Sequence, residues 1–118
     1  MKAKTTFNEA AWFRQTKRII LLHLTDSRLS VFFLAHQTGT GRRTLERRIK
    51  RLTGLTVLQY ITEHQLLKAK QLIENKEVTS VAKAAKAAGF TKPGYFAALF
   101  KRRFGVLPLV LIKTVAKQ

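Results

Sequence analysis

The sequence predicts an all-α protein of about seven helices, arranged as two helix-turn-helix subdomains joined by a central linker helix. Three observations predict it. Apolar residues recur at helical spacing nearly throughout, and no stretch shows clear strand alternation. Glycines and capping residues interrupt that periodicity at short intervals. The chain also repeats itself: Leu45, Ile49, Lys50, Arg51 and Gly54 recur fifty-one residues later as Phe96, Phe100, Lys101, Arg102 and Gly105. Upstream, Ala35 and Gly39 recur fifty residues later as Ala85 and Gly89, so the second copy carries one extra residue in its turn. A short helix, a glycine turn and a longer helix, present twice, form the pattern of a duplicated helix-turn-helix.

The elements follow in order. Residues 1–28 form a basic N-terminal segment and a first helix, about Asn8 to Leu24, with Trp12, Ile19, Ile20 and Leu24 on its buried side; Thr25-Asp26-Ser27 breaks it. Residues 29–55 form the first helix-turn-helix. Ser30 caps a short apolar helix, Val31 to Thr38, which Gly39 ends. A strongly basic helix runs from about Arg42 to Leu52, and Gly54 closes it. Residues 56–77 hold the linker helix, about Thr56 to Glu74, with Tyr60, Ile61, Leu66, Ala69, Leu72 and Ile73 at helical spacing, then a turn at Asn75-Lys76-Glu77. Residues 78–118 form the second helix-turn-helix and a C-terminal helix. Ser80 caps Val81 to Ala88, Gly89 makes the turn, and Pro93 opens a helix that reaches about Arg103 before Gly105. The tail from Val106 to Val115 holds one last short helix after Pro108.

Composition narrows the partner. In 118 residues, 46% of them hydrophobic, there is enough apolar material for a core. The 23 Lys and Arg face only 6 Asp and Glu, a formal charge of +17. So much charge on a small body calls for a polyanion, nucleic acid first and an anionic membrane second. The absence of cysteine excludes disulfides, a thiol nucleophile and a Cys-containing zinc site, and fits a reducing cytoplasm. The longest apolar run near the N-terminus, Ile19 to Leu22, is too short to span a membrane. No membrane association is expected.

The two longer helices of the repeat are the candidate readers of double-stranded DNA. On a helical wheel Leu45, Ile49 and Leu52 form the buried stripe of the first, while Arg43, Glu46, Arg47 and Lys50 lie on roughly the opposite face. Arg43 and Arg47 are one turn apart, and each guanidinium fork suits O6 and N7 of guanine; Glu46 can accept from cytosine or orient an arginine. Arg43, Glu46 and Arg47 are therefore the expected base readers. Arg42, Arg48 and Arg51 on the flanks, with Lys50, suit phosphates. A solvated surface would mix signs, whereas this helix holds six basic residues and one acid. In the second copy Gly94, Ala97 and Ala98 occupy the groove-facing positions, opposite Phe96, Leu99 and Phe100, with Lys101 alone bearing a long polar arm. That helix suits close approach or thymine methyls, with Lys92, Lys101, Arg102 and Arg103 on phosphates.

These stretches, LSVFFLAHQTGTGRRTLERRIKRLTGLTVLQYI and LLKAKQLIENKEVTSVAKAAKAAGFTKPGYFAALFKRRFGVLP, closely resemble the DNA-binding domain of the AraC/XylS family of bacterial transcription regulators. The resemblance covers about Leu29 to Leu111. Its most specific element is the pattern GF-x(5)-F-x(3)-FK-x(3)-G-x-x-P, here Gly89-Phe90, Phe96, Phe100-Lys101, Gly105 and Pro108. It implies a homeodomain-like, seven-helix domain that binds an asymmetric promoter site and activates transcription by contacting RNA polymerase. The family's main base-reading positions in the first recognition helix fall on Arg43, Glu46 and Arg47. The chain departs from the family at Gly94, Ala97 and Ala98, where a polar residue or arginine is usual. It also departs at Gln65 for a common arginine, at Leu111-Ile112 for Tyr-Arg, and at Gly41 for a serine cap. With about twenty-eight residues before the first unit, it is read as the short stand-alone type, with a piece of a longer regulator as the alternative.

Other classes fit less well. A non-specific architectural, nucleoid-type binder is the alternative, favoured by the bare second recognition helix. An RNA binder would need a stacking platform, yet the aromatics fall at core spacing. A membrane-active peptide would be one continuous amphipathic helix. No catalytic residues are assigned: the six acids are scattered, and His23, His36 and His64 lie in three different helices as boundary or surface residues. No metal, cofactor or small-molecule ligand is expected, and the duplicated unit lets a monomer bind DNA.

Overall fold

The computed structural model describes residues 7–118; the start of the basic N-terminal segment, residues 1–6, lies outside the described residues. The chain forms α1 (Glu9–Leu22), α2 (Val31–Thr38), α3 (Arg42–Thr53), α4 (Val57–Glu74), α5 (Val81–Ala87), α6 (Pro93–Phe104) and α7 (Pro108–Ala116), with no strand among the described residues. The all-α, seven-helix reading holds.

Side chains set most helix starts. Asn8 accepts from the Ala11 amide, Ser30 from Phe33, and Ser80 from Lys83, each about one turn ahead, satisfying an amide the helix leaves open. Thr56 and Gln59 form a capping box at the start of α4. No side chain caps α3 at Gly41 or α6 at Lys92, and Pro93 and Pro108 stand where a helix needs no N–H. The first helix ends two residues earlier than its pattern, because the His23 amide closes on the Ile20 carbonyl and Nδ1 of its ring lies 2.7 Å from that of Ile19.

The repeat extends to the hydrogen bond that closes each turn. The Thr40 amide bonds to the Ala35 carbonyl at 3.0 Å, and the Phe90 amide to Ala85 at 2.8 Å. Gly54 and Gly105 then end α3 and α6 with φ of 77° and 79°, their amides returning to Lys50 and Lys101. The extra residue of the second copy thus falls between Phe90 and Pro93.

Two cores result. The first gathers Trp12, Ile20, Leu24, Leu34, Leu45, Ile49, Val57, Tyr60 and Ile61 from α1 to the first half of α4. The second gathers Leu66, Ala69 and Ile73 from the rest of α4 with Ala84, Ala85, Phe96, Phe100, Ile112 and Val115. Phe96 and Phe100 are fully buried, in tilted and edge-on contact in series between Phe90 and Phe104, and Pro108 is also buried, so the motif's apolar positions are core positions. One helix serves both cores, changing allegiance between Ile61 and Leu66.

Two expectations need correction. Leu52 is not part of the buried stripe of α3: it is 38% exposed, and Leu55, returned by the left-handed turn at Gly54, packs on that core instead. His64 is neither a boundary nor a surface residue. It is buried in mid-α4, edge-on to Tyr60 at 4.6 Å, because α1 packs over this face of α4.

Candidate nucleic-acid interface

The surface of α3 follows from what the helix buries. Leu45 and Ile49 are wholly enclosed, so the opposite side carrying Arg43, Glu46, Arg47 and Lys50 is exposed. Its start is held by the turn: Gly39 takes φ 62°, and the Trp12 indole donates to Thr40 Oγ1 at 2.9 Å. Local electrostatics then sort the cations. Arg42 lies 3.5 Å from Glu46 and stacks 4.7 Å from the exposed Phe32 ring. Arg48 lies over Phe7 and Trp12, at 4.0 and 5.0 Å from their centroids. Arg51 pairs with Glu9 of α1, which holds that carboxyl below its ordinary pKa. Lys50 reaches the Gly54 carbonyl at 3.0 Å, a favourable place for a cation at a helix C-terminus.

On α6, Gly94 and Ala98 are exposed and Ala97 is half-buried, leaving the backbone of the helix bare. Lys92, Lys101 and Arg102 are exposed around it. Arg103 instead forms a two-pronged pair with Glu63 of α4 at 2.7 and 2.8 Å, which raises its pKa. Tyr95, 60% exposed, was not singled out by sequence reasoning. The wheel held the signal, since Tyr95, Ala98 and Arg102 are spaced along one face. With Leu58, Leu99 and Arg102 it lines an open trough between α4 and α6.

Five of the six carboxylates are thus spent on nearby cations: Glu9, Asp26, Glu46, Glu63 and Glu74. Asp26, bonded by both the side chain and the amide of Arg28, has its pKa lowered to about 2. The sixth, Glu77, accepts from Asn75. Arg43, Arg47, Lys92, Lys101 and Arg102 have no carboxylate partner among the described residues, whereas the flanking Arg42, Arg48, Arg51 and Arg103 have partners within the fold. Among the described residues no cluster of His, Asp and Glu could hold a metal ion, and no helix is long and apolar enough to cross a membrane.

Known proteins share this fold. The helix-turn-helix domain family matches residues 34–114. The HTH-type transcriptional activator RhaS of Escherichia coli strain SE11 is 37% identical over 75 residues, covering 64% of this chain and 27% of RhaS. The chain therefore spans about a quarter of the length of the curated relatives it matches. The DNA-binding domain of AdpA, a global transcriptional factor solved in complex with a target DNA, superposes with a TM-score of 0.79 at 29% identity, over 88% of this chain and 92% of that one. An AraC-type regulator from Chromobacterium violaceum superposes at 0.83 with 23% identity, over 92% and 95% of the two chains, a likeness of fold alone.

Proposed function

The chain belongs to the AraC-type helix-turn-helix family, and on that premise we propose that it binds double-stranded promoter DNA sequence-specifically and regulates transcription. Arg43, Glu46 and Arg47 of α3 read bases in one major groove. On α6, the bare surface at Gly94, Ala97 and Ala98 lets the helix sit close to the next groove, while Lys92, Lys101 and Arg102 neutralise phosphates. The observation that carries this reading is the freedom of Arg43 and Arg47: one turn apart, exposed and without a carboxylate in a fold that pairs most of its acids. An unpaired guanidinium keeps its full donor set for a guanine edge. The eighteen residues of α4 span about 27 Å, which with its flanking turns is compatible with the ~34 Å between successive major-groove faces. One monomer then covers an asymmetric site. Activation through RNA polymerase is the regulatory outcome we infer, supported by the description of RhaS as an activator.

Selection of bound sequences from a random duplex library, at near-physiological salt, tests the proposal. An enriched asymmetric motif supports it. Tight, salt-sensitive binding without enrichment supports the second reading, a non-specific architectural binder, which the side-chain-poor face of α6 favours.

A further inference from the structure

The two cores share α4, and no helix before it packs extensively on a helix after it. Their relative angle therefore depends on α4 and on whatever else joins them. One such contact stands out. Gln65 lies in the stretch of α4 between the last residue given to the first core, Ile61, and the first given to the second, Leu66. Its side-chain nitrogen is 3.4 Å from the Leu24 carbonyl and 3.5 Å from the Gly89 carbonyl. Leu24 follows α1 and belongs to the first core, and Gly89 is the turn that faces it from the second unit. One primary amide has two N–H groups, so it serves a carbonyl on each side of the junction at once.

Gly89 gives independent support. A Cβ built there would lie 1.9 Å from the Leu24 oxygen and 2.9 Å from the Gln65 nitrogen, so the second turn is pressed directly against the end of the first unit. At Gly39, its counterpart in the repeat, nothing lies within 4 Å of that position. The two turns share a left-handed glycine and the hydrogen bond that follows it, yet only the second is a docking point. We infer that Gln65 is the positioning residue that sets the angle between the two helix-turn-helix units, through Leu24 and Gly89. Its consequence for DNA rests on the proposed function: a set angle makes the protein selective for the spacing between its two half-sites.

The chain has no cysteine, so nitroxide labels can be placed on cysteines introduced at the exposed Gln37 in α2 and Lys83 in α5. Pulsed electron resonance on the wild-type background is expected to give one narrow distance distribution. Gln65→Met, which keeps length but removes the amide, should broaden it about twofold while the helical circular dichroism stays unchanged. Gln65→Asn, which keeps the amide but shortens it, should do the same. An unchanged width in both variants, or a wild-type distribution already as broad as theirs, overturns the inference. Duplexes with one base pair added or removed between half-sites should cost the wild type about tenfold in affinity, and Gln65→Met appreciably less. A narrow distribution that broadens as expected, with no spacing dependence on DNA, upholds Gln65 and defeats instead the reading that both units engage one duplex.

Discussion

The Trp12 indole nitrogen donates a 2.9 Å hydrogen bond to Oγ1 of Thr40, tying α1 to the turn that launches α3. The same ring supports the Arg48 guanidinium, 5.0 Å from its centroid. The N-terminal helix thus braces both the turn before α3 and a cation on α3 itself. Trp12→Phe keeps an aromatic face but removes the donor, and should lower stability by about 1 kcal/mol in urea unfolding. Trp12→Ala should cost about 3–5 kcal/mol, as for other buried aromatics. Equal losses in the two variants would show that the hydrogen bond, and not the packing, dominates.

Arg47→Ala should reduce discrimination between the selected site and its variants by about 1–3 kcal/mol, the worth of one bidentate base contact. Arg102→Ala should weaken all sequences alike and reduce the salt slope by about 0.9. Competition binding at several salt concentrations separates the two effects. Loss of preference at a single base pair in Arg102→Ala would reassign that residue to base reading.

His64 makes stability depend on pH. Burial, aided by Lys17 and opposed by Glu63, holds its imidazole below the ordinary pKa, and its Nε2 has no hydrogen-bond partner among the described residues. As pH falls, the unfolded chain takes up this proton before the folded one does. The stabilisation is therefore complete above the ordinary value of about 6.5 and is lost as pH drops from there through the folded pKa. The urea midpoint should fall between about pH 7.5 and 5.5, and His64→Gln should flatten that slope. An equal slope in both proteins would mean that another group carries it.

The two turn glycines should respond differently to alanine. Gly39→Ala places a left-handed alanine in open space, a cost of about 1–2 kcal/mol. At Gly89 the same strain is joined by a clash with the backbone at Leu24, so the loss of thermal stability should be clearly larger. Matching melting temperatures would show that the Leu24 segment yields freely.

Much of this was legible in the sequence because it is local. Serine caps, turn glycines, prolines at helix starts and the apolar period act within a few residues, so α2, α3 and α5 follow their patterns closely. The repeat made Gly39 and Gly89 equivalent, and their hydrogen bonds are. The wheel also separated Arg43 and Arg47 from Leu45 and Ile49. It failed at Leu52, because a wheel treats a core as endless, whereas Leu55 closes this one.

The sequence by itself determined the helices, the duplication and the excess of positive charge, since each depends on neighbours along the chain or on composition alone. Tertiary structure decided which charges are free. Glu9 meets Arg51 and Glu63 meets Arg103 across forty or more residues, and no helical period encodes such pairings. It also decided that Gly89 is a docking point where Gly39 is not, that His64 is buried in the middle of α4, and that Gln65 beside it reaches two carbonyls. These are properties of surfaces brought together by folding, and the local forces that shape each helix do not specify them.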